Sequence, residues 1–492
     1  MENKHTFKRE LGLFDSTMLV VGSMIGSGIF IVSADIARTV SSPGWLIVAW
    51  LVTGVITLAA ALCYGELAAM MPHAGGQYVY LRESWNPLIG FLYGWTFFLV
   101  IQTGTIAAVA VAFAKYTGVL IPWFSEQHTL LQIGNFKISA AQILAIMSIA
   151  VLTFINAKGV KLGKIVQNSF TFTKSTALIL LIILGLLLGA GSVAMKINFS
   201  DFWSASWVHV KDNTITSIEP LAGFGIIIAL VVAMVGSIFS SDAWNNVTFT
   251  AGEVKEPKRF IPLSLVFGTG IVTLLYIAAN LSYLFILPLK GSPQGVNAFE
   301  RGIQFATSDR VATGAISVFL GDNAAFIMAV LIMISTFGCN NGLILAGARV
   351  TYAMARDNLF FKRNGEINKH GVPGIALLFQ AVWASLLCLS GTYSDLLDYV
   401  VFAVLVFYIL TIAGLFKLRK TKPDAERPYK TFGYPILPAF YILLAAFICV
   451  ILLIYKPQYT WPGVGIVLLG IPVYFIWKKF TGKNFEEYKN EL

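Results

Sequence analysis

"VGSMIGSGIF", Val21 to Phe30, sets three glycines and two serines in the middle of an apolar stretch long enough to cross a bilayer. Glycine is a poor helix former, costing about 1 kcal/mol against alanine, so this helix is weakened at its own centre. Either the small residues let a neighbouring helix come close, or the helix opens there.

The surrounding composition sets the class. Of 492 residues, 57% are hydrophobic and 12% charged, against about a quarter charged in soluble domains, which marks a polytopic membrane protein. Apolar windows of roughly 20 residues, enough to span about 30 Å of hydrocarbon as helix, recur at 14–39, 45–71, 88–120, 139–157, 165–190, 220–250, 261–287, 323–355, 374–390, 395–417, 434–455 and 463–480. Twelve crossings are expected, all helical, in one transmembrane domain over 1–492.

Lys and Arg gather on the cytoplasmic side of short loops. With the N-terminus inside, the loops on the side of the termini hold roughly three times the Lys and Arg of the opposite loops. Both termini are therefore placed in the cytoplasm and the chain in the cell membrane. The net charge of +10 is a topology signal, with basic stretches such as "KLRKTKPDAERPYK" (Lys417 to Lys430) against the anionic inner leaflet. It implies no nucleic-acid partner. The polar start "MENKHTFKRE" and the missing small-residue cleavage pattern read as an uncleaved first span. Cys63, Cys339, Cys388 and Cys449 lie in apolar windows and read as packing residues. Metal-ligand spacing, a phosphate-cradling loop and a nucleophile elbow are all missing, so no metal, no cofactor and no soluble-type enzyme chemistry is expected.

For the opening stretch, the spacing of Gly22 with Gly26 and of Ser23 with Ser27 suits close packing on a neighbour. A second stretch favours the break. "GSIFSSDAWNN", Gly236 to Asn246, lies at the same depth in the sixth window and begins like the first. Five crossings separate the two, so they enter the membrane in opposite directions, the arrangement of an inverted repeat. A pair of interrupted helices at corresponding positions points to a transport site near the midplane. Freed backbone N–H groups at a half-helix start suit a carboxylate, and freed carbonyls at a half-helix end suit an ammonium. A ligand with both charges is an α-amino acid, and an amino-acid substrate is the partner expected besides the lipid bilayer.

The stretches "GSMIGSGIF", "ALCYGELAAMMPHAGGQYVYLRES" (Ala61 to Ser84), "WNNVTFTAGEVKEPKRFIPLSL" (Trp244 to Leu265), "STFGCNNGLILAGARVTYAMARDNLF" (Ser335 to Phe360) and "ERPYKTFGYPILP" (Glu426 to Pro438) resemble the amino acid–polyamine–organocation transporters over nearly the full chain. The resemblance is greatest to bacterial relatives of the light subunits of heteromeric amino-acid transporters. It implies a LeuT-like five-plus-five inverted repeat, with 12–190 and 220–420 as the two repeats and 434–480 as two extra helices. It also implies alternating access, a bundle containing the first and sixth helices moving against a scaffold. Carried over by position, it puts the substrate carboxylate on the N–H groups of Ser27 and Gly28 and the ammonium near the carbonyls of Met24 and Phe239. Ile25 and Gly26 complete the first break, Ser240 shares the second, and Phe239 is an aromatic gate. Light subunits of this kind join a glycoprotein through a cysteine after the third helix; the corresponding loop, "IPWFSEQHTLLQIGNFK" (Ile121 to Lys137), has none. No disulfide-linked heavy chain is expected.

Lys174 lies about ten residues into the fifth window, where an unpaired ammonium is costly and usually functional. It either snorkels to the interface or, by resemblance, stands where sodium-coupled relatives bind Na⁺, with Ser335 and Thr336 as acceptors. Transport is then sodium-independent. Asp242 departs from the glycine pair common in this branch, and three roles for it stay open besides a local cap: binding the ammonium, pairing with Lys174 or another donor, or carrying a proton. Gln102 and Thr105 either line the pocket or join helices. Glu66 and Asp398 are expected at span ends in packing or gating, and Trp95, Trp123 and Trp461 in the interfacial belts. The reading is a secondary active permease or exchanger of neutral L-amino acids. Its alternatives are a proton-coupled or exchange transporter of cationic amino acids or polyamines, a substrate-gated channel, and a membrane-embedded enzyme using Lys174 with Asp242.

Overall fold

The first apolar window forms two helices. α1 (Leu13–Met24) and α2 (Gly28–Val40) meet at 42° across Ile25–Ser27. The computed structural model describes residues 7–133, 136–211, 214–321, 323–390 and 393–481. It continues with α3 (Pro43–Met70), α4 (Gln77–Ser84), α5 (Pro87–Leu120), α6 (Ala140–Ala157), α7 (Val160–Gly189), α8 (Phe224–Ser240), α9 (Asn246–Phe249) and α10 (Pro257–Ile286). α11 (Val311–Leu320), α12 (Asn323–Arg356), α13 (Gly374–Ser390), α14 (Tyr393–Thr421), α15 (Ile436–Tyr455) and α16 (Pro457–Thr481) complete the helices that matter here.

Helix starts follow from local chemistry. α3 and α5 begin on prolines, which need no hydrogen-bond acceptor at a first helical position. Ser42 Oγ then accepts from Trp45 N at 3.4 Å and Asn86 Oδ1 from Ile89 N at 3.0 Å. At α6 a reciprocal box links Ser139 and Gln142 at 2.8 and 3.3 Å. α5 widens into a π-turn over Phe97–Ile101, where Thr103 Oγ1 donates to Phe98 O at 2.6 Å. Such bulges gather at functional sites.

Among the described residues, nine helices are long and apolar enough to span a bilayer, and the bent α1–α2 pair makes ten. These ten coincide with ten of the twelve expected windows. The windows at 220–250 and 374–390 yield helices of only 17 residues each, α8 and α13. α8 stops because the chain turns sharply after Ser240, and α13 starts directly after Pro373, which cannot donate to a preceding turn. Two antiparallel hairpins add to the all-helical expectation: β1 (Thr129–Ile133) with β2 (Phe136–Ser139), and β3 (Ser206–Lys211) with β4 (Thr214–Pro220).

α10 lies along α3 and α1, α12 along α5 and α7, and α8 against α2. Gly268 shows why helices approach so closely: a Cβ there would sit 2.4 Å from Val20 Cγ1, so only hydrogen fits. Two buried charges on these helices are paired with arginine or glutamate. Glu66 accepts from Arg419 at 2.6 and 2.9 Å and from Thr431 N at 2.7 Å, consistent with a packing or gating residue. Arg349 and Glu253, each 1% exposed, pair at 2.6 Å. The side chain of Asp398 lies outside the described residues.

The leading segment is tied into this end of the molecule. Glu10 N and Leu11 N donate to Glu253 O at 2.9 and 3.0 Å, and Lys255 N returns a bond to Leu11 O at 2.9 Å. Lys164 Nζ holds Glu10 O at 2.9 Å and Asp15 at 3.1 Å.

Candidate functional site

At the first break Ile25 N still reaches Val21 O, at 3.0 Å, but its own backbone is extended, and α2 restarts at Gly28. The freed carbonyls are taken from behind. Lys174 Nζ, on α7, donates to Gly22 O at 2.6 Å, Ile25 O at 2.5 Å and Ser335 O at 3.3 Å. Three acceptors for three ammonium protons are what a buried cation needs to offset its lost hydration, and Lys174 is 2% exposed. Ser335 Oγ donates to Gly26 O at 2.9 Å, and Cys339 Sγ to Ser23 O at 3.1 Å. On the other side, no acceptor among the described residues meets the N–H groups of Ser27 and Gly28.

The second break begins where α8 ends. Asp242 N donates to Phe239 O at 3.1 Å, Ala243 takes a left-handed backbone at φ +63°, and Asn246 N donates to Ala243 O at 3.2 Å as α9 starts. Asp242 Oδ1 accepts from Tyr408 Oη at 2.5 Å. Asn245 Nδ2 donates to Gln77 Oε1 at 2.9 Å, and Gln77 Nε2 to Thr411 Oγ1 at 3.1 Å.

The two breaks touch. A Cβ on Gly28 would lie 2.0 Å from Ser240 Oγ, so a side chain there would force α2 from α8. Tyr276 Oη of α10 lies 3.0 Å from Met24 O and 3.1 Å from Ser240 O, one hydroxyl between both broken ends.

Both breaks open onto one cavity, part of it continuous with solvent. Ser23, Met24, Gly26, Ser27 and Gly28 line it from the first span, and Phe239, Ser240, Asp242, Ala243, Asn245 and Asn246 from the second. α4 adds Gln77; α5 adds Tyr93, Phe97, Ile101, Gln102, Thr105 and Val109; α12 adds Cys339 and Leu343; α14 adds Val404 and Tyr408. The result is a mostly apolar chamber with free N–H groups at one wall and a carboxylate at another.

Of the residues singled out in the sequence, Met24, Gly26, Ser27, Gly28, Phe239, Ser240 and Asp242 come together on this wall. Ile25 does not: its side chain is fully buried and its carbonyl belongs to Lys174. Lys174 and Ser335 meet behind the first break, outside the cavity lining. Thr336 stays out of that cluster, its hydroxyl turned to its own helix at Ile332 O, 2.7 Å. Asp242 pairs with Tyr408, neither with Lys174 nor as a cap of α9. Gln102 both lines the cavity and joins helices, donating to Leu343 O at 2.7 Å. Trp123 and Trp461 are exposed, and Trp95 Nε1 is bonded to Ile466 O at 3.1 Å. The four cysteines are buried and free.

Sequence reasoning missed Tyr276, Tyr408, Gln77 and the amide pair Asn245–Asn246. Only the last carried a signal, as two consecutive amides in an apolar window directly after Trp244.

The amino acid permease family model matches residues 11–476. The chain is 31% identical over 474 residues to the large neutral amino acids transporter small subunit 2 of Mus musculus, covering 95% of this chain and 81% of that protein. The human protein of the same name is also 31% identical, over 95% and 80%. The b(0,+)-type amino acid transporter 1 of Mus musculus is 28% identical over 478 residues, 96% of this chain and 88% of that protein.

Proposed function

The chain belongs to the amino acid permease family, and from that premise we propose a sodium-independent transporter of neutral L-amino acids working by alternating access. Amino-acid transport is the activity of the family, and enzyme chemistry is not. The observation that carries the finer reading is the pair of breaks facing one cavity, with the N–H groups of Ser27 and Gly28 unpartnered. The substrate carboxylate sits on those N–H groups, where the dipole of α2 favours an anion. Its ammonium meets the carbonyls of Met24 and Phe239, each already holding one bond and each with a second lone pair to give. Phe239 closes over the bound molecule.

The architecture proposed with it has twelve crossings, α8 and α13 being the short ones. Residues 12–190 and 220–420 form a five-plus-five inverted repeat, 434–480 adds two helices, and both termini face the cytoplasm. The chain works without a disulfide-linked subunit, its loop 121–137 lacking cysteine.

Sodium independence rests on Lys174. A fixed ammonium bonded to the carbonyls of Gly22 and Ile25 and to Ser335 O fills the space between α1, α7 and α12 where a metal cation would bridge the same oxygens. In proteoliposomes, amino-acid uptake should stay within about twofold when sodium is replaced by choline; a collapse of uptake refutes the lysine-for-sodium assignment.

A second reading is favoured by Asp242. A carboxylate in the cavity wall suits a cationic side chain or a polyamine, and proton coupling would place the exchanged proton there. Competition by lysine and by spermidine separates it from the neutral reading.

A further inference from the structure

We propose that the side-chain end of the cavity is built for a carboxamide, making glutamine and asparagine the preferred substrates. The inference rests on the amino-acid reading above and concerns only the side chain.

Four amide side chains reach the cavity wall, and three are engaged through their nitrogens. Gln77 donates to Thr411, Gln102 to Leu343 O and Asn245 to Gln77. The fourth, Asn246, is 1% exposed, and its Nδ2 meets no acceptor among the described residues. Leaving a buried donor unpaired is costly, and native structures rarely tolerate it without a ligand or water to complete the pair. Asn246 follows Asp242 by one tight turn, closed by the 3.2 Å bond from its N–H to Ala243 O. Asp242 has one side-chain partner, the Tyr408 hydroxyl. A carboxylate offers about four lone-pair sites, so acceptor capacity remains.

A leftover donor and a leftover acceptor in the lining of one cavity select among side chains. An aliphatic group satisfies neither and buries both. An ammonium or guanidinium suits Asp242 but presents only donors to the Asn246 NH₂. A carboxylate suits Asn246 and is repelled by Asp242. A carboxamide donates to Asp242 through its NH₂ and accepts from Asn246 through its oxygen, both at once.

Sites that hydrogen-bond a substrate group discriminate strongly against analogues lacking it. The full-length protein in proteoliposomes would be assayed by counterflow with labelled glutamine and, separately, labelled methionine, an apolar side chain of similar length. Unlabelled asparagine, norleucine, lysine and glutamate would compete. The expected kcat/KM for glutamine exceeds that for methionine by at least about tenfold, carried by KM. Asn246→Ala should remove most of that ratio, and Asn246→Asp, which keeps the shape and replaces the donor, should move preference from glutamine toward lysine. Methionine or lysine equal to or ahead of glutamine overturns the inference and leaves amino-acid transport standing. No counterflow of either label overturns both.

Discussion

At the first break the polar groups released by the chain are met by other helices: Lys174 from α7, and Ser335 and Cys339 from α12, take the carbonyls of Gly22, Ser23, Ile25 and Gly26. At the second, the chain closes its own turns through Asp242 N, Ala243 and Asn246 N, and its neighbours Tyr408, Gln77 and Tyr276 meet Asp242, Asn245 and Ser240 O. The first is a glycine-rich gap that neighbours hold open with backbone N–H groups bare. The second is a self-bonded turn that presents side chains. On the proposed reading the difference divides the tasks: invariant substrate groups suit bare backbone, and variable ones suit side chains that substitution can change.

The sharpest way to break this contrast is Lys174→Ala. It strips three carbonyls of a charged donor, each buried loss costing about 1–3 kcal/mol, and counterflow should fall by roughly a hundredfold while the purified protein remains monodisperse. Unaltered transport would mean that the first break needs no outside support. Tyr276→Phe tests whether the two breaks act together. One hydroxyl proton serves one of the two carbonyls at a time, so its loss is worth about 0.5–1.5 kcal/mol. A roughly three- to tenfold drop in uptake is expected, measured as initial rate. Ala243→Gly should have the smallest effect and bear on the second break alone. The left-handed backbone costs alanine about 1–2 kcal/mol and glycine's unfolded-state entropy returns about 0.5–1 kcal/mol. The expected outcome is a slightly raised melting temperature, and a clear fall would contradict a strained Ala243.

Much of this contrast was legible in the sequence. Small residues at Gly22, Gly26 and Gly28 betray a break because helices dislike them, and the repeated start at Gly236 betrays its partner. Lys174 stood out because a cation in an apolar window demands a reason. Tyr276 and Tyr408 could not be picked out, since a tyrosine in an apolar helix looks the same whether its hydroxyl meets lipid headgroup, backbone or carboxylate; only helix packing aims them. Thr336 failed for a related reason. A threonine inside a helix can always bond the preceding turn, as it does at Ile332 O, and its neighbour Ser335 took the outward role. The length of α8 was overcounted because the sixth window, 220–250, runs on through Asp242–Phe249, where the helical hydrogen bonding has already stopped at Ser240.

The clip between Glu10, Leu11 and residues Glu253 to Lys255 has a practical side. It splints the amino end to the chain just beyond the second broken helix, with Lys164 as an extra pin. Affinity tags, fluorescent fusions or truncations at the amino end should therefore spare everything from Lys8 onward. A reporter attached just upstream would ride on the segment that follows α9 and register its displacement.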